Sequence, residues 1–146
     1  MVGKYRDLSD ASVAEQTLDP DTVTTSATGG GVDRWDGNGE NVMFVVAVGE
    51  SGDTLSGTVY FLLELEHSDD GSTWTDCADA DLSTSITGTN TGTFAKIDAA
   101  AEDDAAYKTS YVGNKPHVRC IVNAVGTHSN GTPIGVVAVR TGLQNL

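Results

Sequence analysis

The sequence predicts an all-β protein, an antiparallel β-sandwich or jelly roll of about seven or eight strands with an extended N-terminal arm. Apolar and polar residues alternate with period two along several short segments, as in strands that bury one face. Glycine, serine, threonine and aspartate, which favour turns, are dense between these segments. No segment sustains a helical period for long enough to form a stable helix. Many short strands joined by polar turns are typical of sandwiches and jelly rolls.

The stretch from Val59 to Trp74, VYFLLELEHSDDGSTW, carries the clearest strand pattern. Side chains on a strand alternate between its two faces, so every second residue from Val59 to Leu65 predicts a core face. Residues 67–73 are rich in turn-forming side chains, which predicts a β-hairpin. Trp74 is expected to fold back beside the strand and to cap the core with its indole ring.

The opposite face of this strand is only half polar. It carries Tyr60 and Leu62 beside Glu64 and Glu66. Burying a leucine side chain contributes about 1.5 to 3 kcal/mol. We therefore expect the apolar pair to lie against another segment or another chain, and Tyr60 and Leu62 are candidate interface residues.

Residues 1–31 are polar and show no sustained period, which predicts an extended N-terminal arm. Such a segment has too little apolar surface to order itself alone, so we expect a neighbouring chain to order it. Tyr5, Arg6 and Leu8 are its candidate contacts with that partner. Residues 32–146 then form a single β-sandwich domain, because no linker divides them.

The segment from Val42 to Val48 is apolar on both faces, which predicts a central strand covered on both sides. A tract of threonine, glycine, serine and asparagine over residues 83–93 predicts a long loop. The remaining strand candidates are short, and in chain order they are Val32 to Trp35, Thr93 to Ile97, Tyr107 to Val112, Val118 to Ala124 and Ile134 to Arg140.

The composition is strongly acidic. Eight lysines and arginines stand against 21 aspartates and glutamates, giving a net charge of -13 in a chain of 146 residues. This charge argues against a nucleic acid or an anionic membrane as partner and favours a basic or neutral protein. The first residues, MVGKYRDLSDASV, lack the apolar centre of a signal peptide, so we expect a cytosolic protein whose Cys77 and Cys120 remain thiols.

Two acidic stretches invite comparison with metal sites. The segment from Asp36 to Asn41 resembles the start of a calcium loop, but Asn41 occupies the sixth position, which requires glycine, and Ala47 occupies the twelfth, which requires glutamate. A second acidic stretch holds Asp76, Asp79 and Asp81. Both are expected to be hydrated loops, and no metal or other cofactor is expected.

No catalytic set can be assembled from the sequence. The three histidines, His67, His117 and His128, lack the spacing of zinc ligands. Nucleophile motifs such as Gly-x-Ser-x-Gly are absent, and so is a phosphate-binding loop followed by a helix. Because no acid, base or nucleophile can be named, the protein is expected not to be an enzyme.

Five segments resemble, in the same order, a family of small virion proteins of tailed bacteriophages. They are KYRDL, MFVVAVG, LELEHSDDGSTWTDCADADL, YVGNKPHVR and GVVAVRTG, which together span nearly the whole chain. The region from Gly29 to Asn41 departs from the family pattern in being longer and more polar. Members look like proteins encoded in the head gene module, close to the major capsid protein.

The resemblance implies a non-enzymatic structural protein of the virion head that is made in the bacterial cytoplasm. Its implied role is a decoration, or cement, protein that binds the outside of the capsid. Its implied partners are the major capsid protein and further copies of itself, arranged as a homo-oligomer at a capsid symmetry axis. A head-spike base or a tail or fibre component is the alternative within the same class.

A carbohydrate-binding β-sandwich is the alternative from another class. Trp35, Trp74, Tyr107 and Tyr111 would then offer their rings as stacking platforms. The two hypotheses differ in the exposure of these rings. A carbohydrate-binding protein needs coplanar exposed rings, whereas a cement protein buries Trp74 in its own core or in an interface.

Overall fold

The computed structural model describes residues 8–142, and these residues form a β-sandwich of two antiparallel sheets. One sheet has four strands in the order β1-β10-β4-β8: β1 (Ser12–Val23), β4 (Asn41–Val48), β8 (Ala105–Tyr111) and β10 (Thr132–Thr141). The other has six: β2 (Ala27–Thr28), β3 (Val32–Asp33), β5 (Tyr60–Ser68), β6 (Thr75–Asp76), β7 (Thr93–Ile97) and β9 (His117–Val125). Strands β5 and β9 form its centre, with β6 and β7 on the far side of β5 and β2 and β3 on the far side of β9.

The core lies between the sheets and is built from alternate residues of their central strands. Phe44 and Val46 of β4 are fully buried, as are Phe61, Leu63 and Leu65 of β5. The predicted all-β fold and the predicted core face of β5 are therefore confirmed. Residues 8–142 form ten strands rather than the seven or eight predicted. The region predicted as an arm supplies two of them, β1 and β2, and β6 has only two residues, too few to show a strand pattern in the sequence.

The two cysteines are part of this core. Cys77 and Cys120 are fully buried and are not linked in a disulfide. Burial raises the pKa of both thiols, and nearby carboxylates raise them further. They act as small apolar side chains rather than as nucleophiles.

The predicted N-terminal arm needs correction over residues 12–28. Strand β1 pairs with β10 from Ser12 to Val23, and β2 pairs with β9. This stretch therefore belongs to the sandwich. Its sequence has no apolar alternation because β1 is an edge strand in which Val23 alone is buried. Backbone pairing rather than side-chain burial holds it in place.

The predicted hairpin is confirmed, with Glu66 opposite Asp76 on β5 and β6. Asp70 organises its turn by accepting hydrogen bonds from the backbone N–H groups of Thr73 and Ser72. These bonds hold the pKa of Asp70 well below its usual range. Gly71 follows with a φ of 74°, a left-handed conformation that favours glycine.

Candidate docking surface

The outer face of the four-stranded sheet is apolar and open to solvent. The alternate residues Val42, Phe44, Val46 and Val48 of β4 point into the core. The residues between them therefore point outward, and cross-strand pairing continues the same face onto β10, β8 and β1. We call this surface the four-stranded face, and its residues are Ala14, Gln16, Met43, Val45, Ala47, Ala106, Lys108, Ser110, Gly135, Val137 and Val139.

These side chains are half-buried or exposed rather than covered by a further layer. Met43 and Val45 are half-buried, Ala47 is exposed and Val137 is 36% exposed. The prediction that both faces of the segment from Val42 to Val48 are covered is therefore wrong within residues 8–142. Apolar side chains on an outward sheet face are typical of a surface that meets another protein.

A groove of ≈610 Å³ marks one end of this face. Its lining includes Pro20 of β1, Ala47 of β4, and Pro133, Gly135 and Val137 of β10. An added Cβ on Gly135 would lie 3.1 Å from Pro20, so the absence of a side chain lets β1 fold close over β10 here. The face is therefore not flat but offers a concave apolar end.

This face carries few charged residues. None of its eleven residues is acidic, although the whole chain carries 21 aspartates and glutamates. Lys108 is its single charged residue and is exposed, and Asp21 lines the groove at the Pro20 end. A partner can therefore cover most of the face without burying a carboxylate, which would be costly if left unpaired.

The predicted interface residues have different surroundings. Leu8 is 75% exposed, whereas Leu62 is 3% exposed and lies between Lys96 of β7 and Asn123 of β9. Tyr60 is half-buried, with the ammonium group of Lys96 4.5 Å from its ring centroid. Leu62 thus lies against other segments of its own chain. Tyr5 and Arg6 lie outside the described residues.

The outward side chains of the six-stranded sheet cover one another. We call this surface the six-stranded face, defined by Tyr60, Leu62, Glu64, Glu66, Lys96, Arg119, Ile121 and Asn123. Arg119 contacts Glu66 through its Nε and Nη2 atoms, at 2.7 and 2.6 Å from Oε2. The guanidinium carbon of Arg119 also lies 4.3 Å from the centroid of the Trp74 ring.

Trp74 therefore packs on the outside of the six-stranded sheet and does not cap the core as predicted. Strand β6 pairs with the edge of β5 directly after Trp74, and the indole lies against the outward side chain of Arg119. An added Cβ on Gly31 would lie 2.9 Å from the indole, which shows that the ring is packed tightly against that backbone.

Glu64 is the most deeply placed carboxylate of the six-stranded face, at 6% exposure. Its Oε1 accepts hydrogen bonds from Nδ2 of Asn90 at 2.9 Å and from Oγ1 of Thr93 at 3.4 Å. Burial raises the pKa of Glu64 despite these bonds, and the charge of Asp76 raises it further. The loop that carries Asn90 thus closes over this face.

The aromatic residues considered for carbohydrate binding do not form a platform. Tyr111 is 4% exposed in the core, and the Tyr107 hydroxyl donates to the backbone oxygen of Glu102. Trp74 is half-buried beneath Arg119, and Trp35 is 64% exposed at the end of the sandwich. Of these four rings only that of Trp35 belongs to an exposed residue, so they do not offer the set of exposed rings that the carbohydrate hypothesis requires.

The acidic loops are held by their own hydrogen bonds. Asp36 forms an ion pair with Arg140, and the hydrogen bonds from that side chain hold the pKa of Asp36 well below its usual range. Asp79 accepts from the backbone of Gly92, and Asp81 accepts from that of Ala78. Within residues 8–142 no group of three or more histidine, cysteine or acidic side chains is placed to hold a metal ion.

The three histidines are engaged in different contacts. Nδ1 of His67 lies 2.8 Å from the Tyr111 hydroxyl, and His128 is buried with Nε2 3.1 Å from the Val125 carbonyl oxygen. His117 lies beside the hairpin turn, 3.3 Å from the position of an added Cβ on Gly71.

The comparisons with known proteins give no relative for this chain. No family model matches it, and neither a curated protein nor a solved structure is similar to it. No helix within residues 8–142 is long and apolar enough to cross a membrane. The functional hypothesis therefore rests on the surfaces described above and on the resemblance seen in the sequence.

Proposed function

We propose that this protein is a non-enzymatic structural protein of a tailed-phage virion that binds the outside of the capsid and stabilises it. The observation that carries this proposal is the open, apolar and carboxylate-free four-stranded face. An assembly component needs a surface of this kind, whereas the fold itself gains nothing from leaving it uncovered. The resemblance to small head proteins names the partner, which is the major capsid protein.

The side chains of this face can supply the binding energy. Full burial of a valine side chain contributes about 1.5 to 3 kcal/mol relative to exposure. The free energy gained by burying Val45, Val137 and Val139 exceeds what a weak contact requires, even though these side chains are already partly covered. The acidic remainder of the surface would steer docking toward a less acidic capsid and limit binding elsewhere.

Fewer N-terminal residues can contact neighbouring subunits than an arm of 31 residues would provide. Because β1 and β2 belong to the sandwich, residues 12–28 are not free to reach across to neighbouring subunits. In this proposal the folded domain itself docks on the capsid, as a homo-oligomer at a symmetry axis.

The proposal is tested with capsids that lack this protein, to which purified variants are added. The wild type should bind and raise the temperature at which particles are disrupted, because a ligand that prefers the assembled state stabilises it. Val137→Asp places a charge in the four-stranded face and should bind poorly. Thr28→Asp places the same charge on an exposed residue of the six-stranded sheet and should behave as the wild type.

Disruption temperatures that do not change on adding the wild type would reject the cement role. The head-spike base or a tail component would then become the favoured location. Equal binding by the Val137→Asp and Thr28→Asp variants would instead show that the four-stranded face is not the docking surface.

A further inference from the structure

The large apolar side chains that are exposed cluster at one end of the sandwich. Among residues 8–142, five large hydrophobic residues are exposed, and one of these, Val137, belongs to the four-stranded face. The other four are Leu8 (75% exposed), Val13 (43%), Trp35 (64%) and Val112 (59%).

Pairing and hydrogen bonds place these four residues at the same end. Val13 lies opposite Arg140 on β10, and the Ser12 hydroxyl donates to the carbonyl oxygen of Leu8. Arg140 in turn bonds to the loop that carries Trp35. Val112 precedes Gly113, whose carbonyl oxygen accepts a hydrogen bond from Arg34 of that loop.

The loop over residues 33–40 is fixed from below by a buried arginine. Arg140 is 1% exposed, and its Nη2 donates to the carbonyl oxygens of Asp33 at 2.6 Å and Gly39 at 2.9 Å. Two further bonds, of 3.1 and 2.8 Å, join its Nη1 and Nη2 to the two carboxylate oxygens of Asp36. This bidentate pair sets the orientation of the loop as well as its position.

A second arginine fixes the loop from the side. Arg34 donates from Nε to the carbonyl oxygen of Glu40 at 2.8 Å and from Nη1 to that of Lys115 at 2.6 Å. Its guanidinium carbon lies 4.9 Å from the centroid of the Tyr111 ring. Trp35 therefore projects from a loop that two arginines hold in one shape.

A rigidly presented and exposed tryptophan suits a binding anchor. Tryptophan is enriched among the residues that dominate interface energies, and an anchor already held in place loses little conformational freedom on binding. The surrounding charge indicates the partner. Both arginines turn inward to loop and core groups, whereas the exposed Asp33 accepts a hydrogen bond from the backbone N–H of Trp35 and the exposed Glu40 ends the same loop.

We infer that Trp35 inserts into an apolar pocket rimmed by lysine or arginine on the protein to which this chain docks. Leu8, Val13 and Val112 surround that contact and exclude water from it. This inference rests on the proposed function, because it assigns the anchoring contact of the same complex. It adds a second contact region beside the four-stranded face and gives the partner surface a stated chemistry.

The test measures the affinity of variants for capsids that lack this protein. Trp35→Ala should weaken binding at least about 30-fold, the loss expected for a dominant anchor. Trp35→Phe should bind with intermediate affinity, because it keeps an aromatic ring. The unfolding midpoints of both Trp35 variants should equal that of the wild type, since the Trp35 ring is mostly exposed. Trp74→Ala is the control, because it removes the indole that packs on Arg119 outside the six-stranded sheet, and it should leave the affinity for capsids unchanged.

The salt dependence tests the charge of the pocket. Association of the wild type should slow as salt is raised, and Glu40→Gln should make that dependence shallower. Association that does not slow with salt would contradict a basic pocket. Wild-type affinity in Trp35→Ala would overturn the anchor.

The Val137→Asp variant separates this inference from the proposed function. Weak binding by Val137→Asp together with full binding by Trp35→Ala would overturn the anchor and leave the proposed function standing. Failure of the wild type to bind capsids would overturn both.

Discussion

On the six-stranded sheet the outward side chains are covered by one another and by a loop, whereas on the four-stranded sheet they remain open. Both sheets place apolar residues outward, Leu62 on one and Val137 on the other. Leu62 is 3% exposed and Val137 is 36% exposed. An outward apolar residue therefore indicates a docking surface only where no polar cluster or loop of the same chain covers it.

The loop over residues 83–92 accounts for part of this difference. It brings Asn90 onto Glu64, and the ion pair of Arg119 with Glu66 covers the next row of the same face. No corresponding loop crosses the outer side of β4 and β10 within the described chain. The four-stranded face thus keeps surface that the fold does not use.

Placing the same charge on both faces tests whether they differ in coverage. Leu62→Asp should lower the free energy of unfolding by about 2 to 5 kcal/mol, because it removes a leucine that is 3% exposed and desolvates a carboxylate in its place, even with Lys96 opposite. Val137→Asp should lower it by less than about 1 kcal/mol, because the carboxylate can reach water. Urea denaturation of both variants measures the difference. Equal losses would show that the two faces do not differ in coverage.

A smaller effect concerns Glu64, the carboxylate enclosed by the six-stranded face. Burial raises its pKa above the usual value of 4.5 for a glutamate. Its contribution to stability is therefore fully present below that value and is lost as the pH rises through the folded-state pKa. Glu64→Gln removes this titration, so the variant should gain stability relative to the wild type as the pH rises above 4.5.

We expect this gain to stay within about 1.5 kcal/mol, the scale of one hydrogen bond. The stability difference between Glu64→Gln and the wild type is measured from urea midpoints at several pH values from about 4.5 to about 8. Glutamate and histidine side chains titrate in this range. Glu50→Gln, at an exposed glutamate, is the control and should run parallel to the wild type. A constant difference between Glu64→Gln and the wild type would mean that the carboxylate is hydrated. The lowered pKa values of Asp36 and Asp70 act in the opposite direction and at lower pH.

The parts of the fold that follow from local pattern could be predicted. Alternation along β5 located the core face, and the turn residues before Trp74 located the hairpin. Strand β1 could not be predicted, because an edge strand with one buried residue has no apolar period and is held by pairing with β10. A polar sequence of this kind looks the same in an arm and at a sheet edge.

The docking surfaces depend on long-range contacts that no local pattern reveals. The apolar outer side of the segment from Val42 to Val48 was visible in the sequence, but the sequence does not distinguish cover by the chain itself from cover by a partner. Arg140 reaches Asp36 across 104 positions, so the bracing of the Trp35 loop was also hidden. A tryptophan directly before the polar segment from Asp36 to Asn41 was the one available signal.

The most direct test of the central claim is oxidative labelling of Met43, which lies on the four-stranded face. Thioethers are oxidised readily to sulfoxides when reagent can reach them. Free and capsid-bound protein are labelled in parallel, and peptide mass spectrometry reads Met43 and, as an internal reference on the other face, Trp74. Binding should protect Met43 and leave the labelling of Trp74 unchanged. Equal labelling of Met43 in the free and bound protein would contradict the central claim.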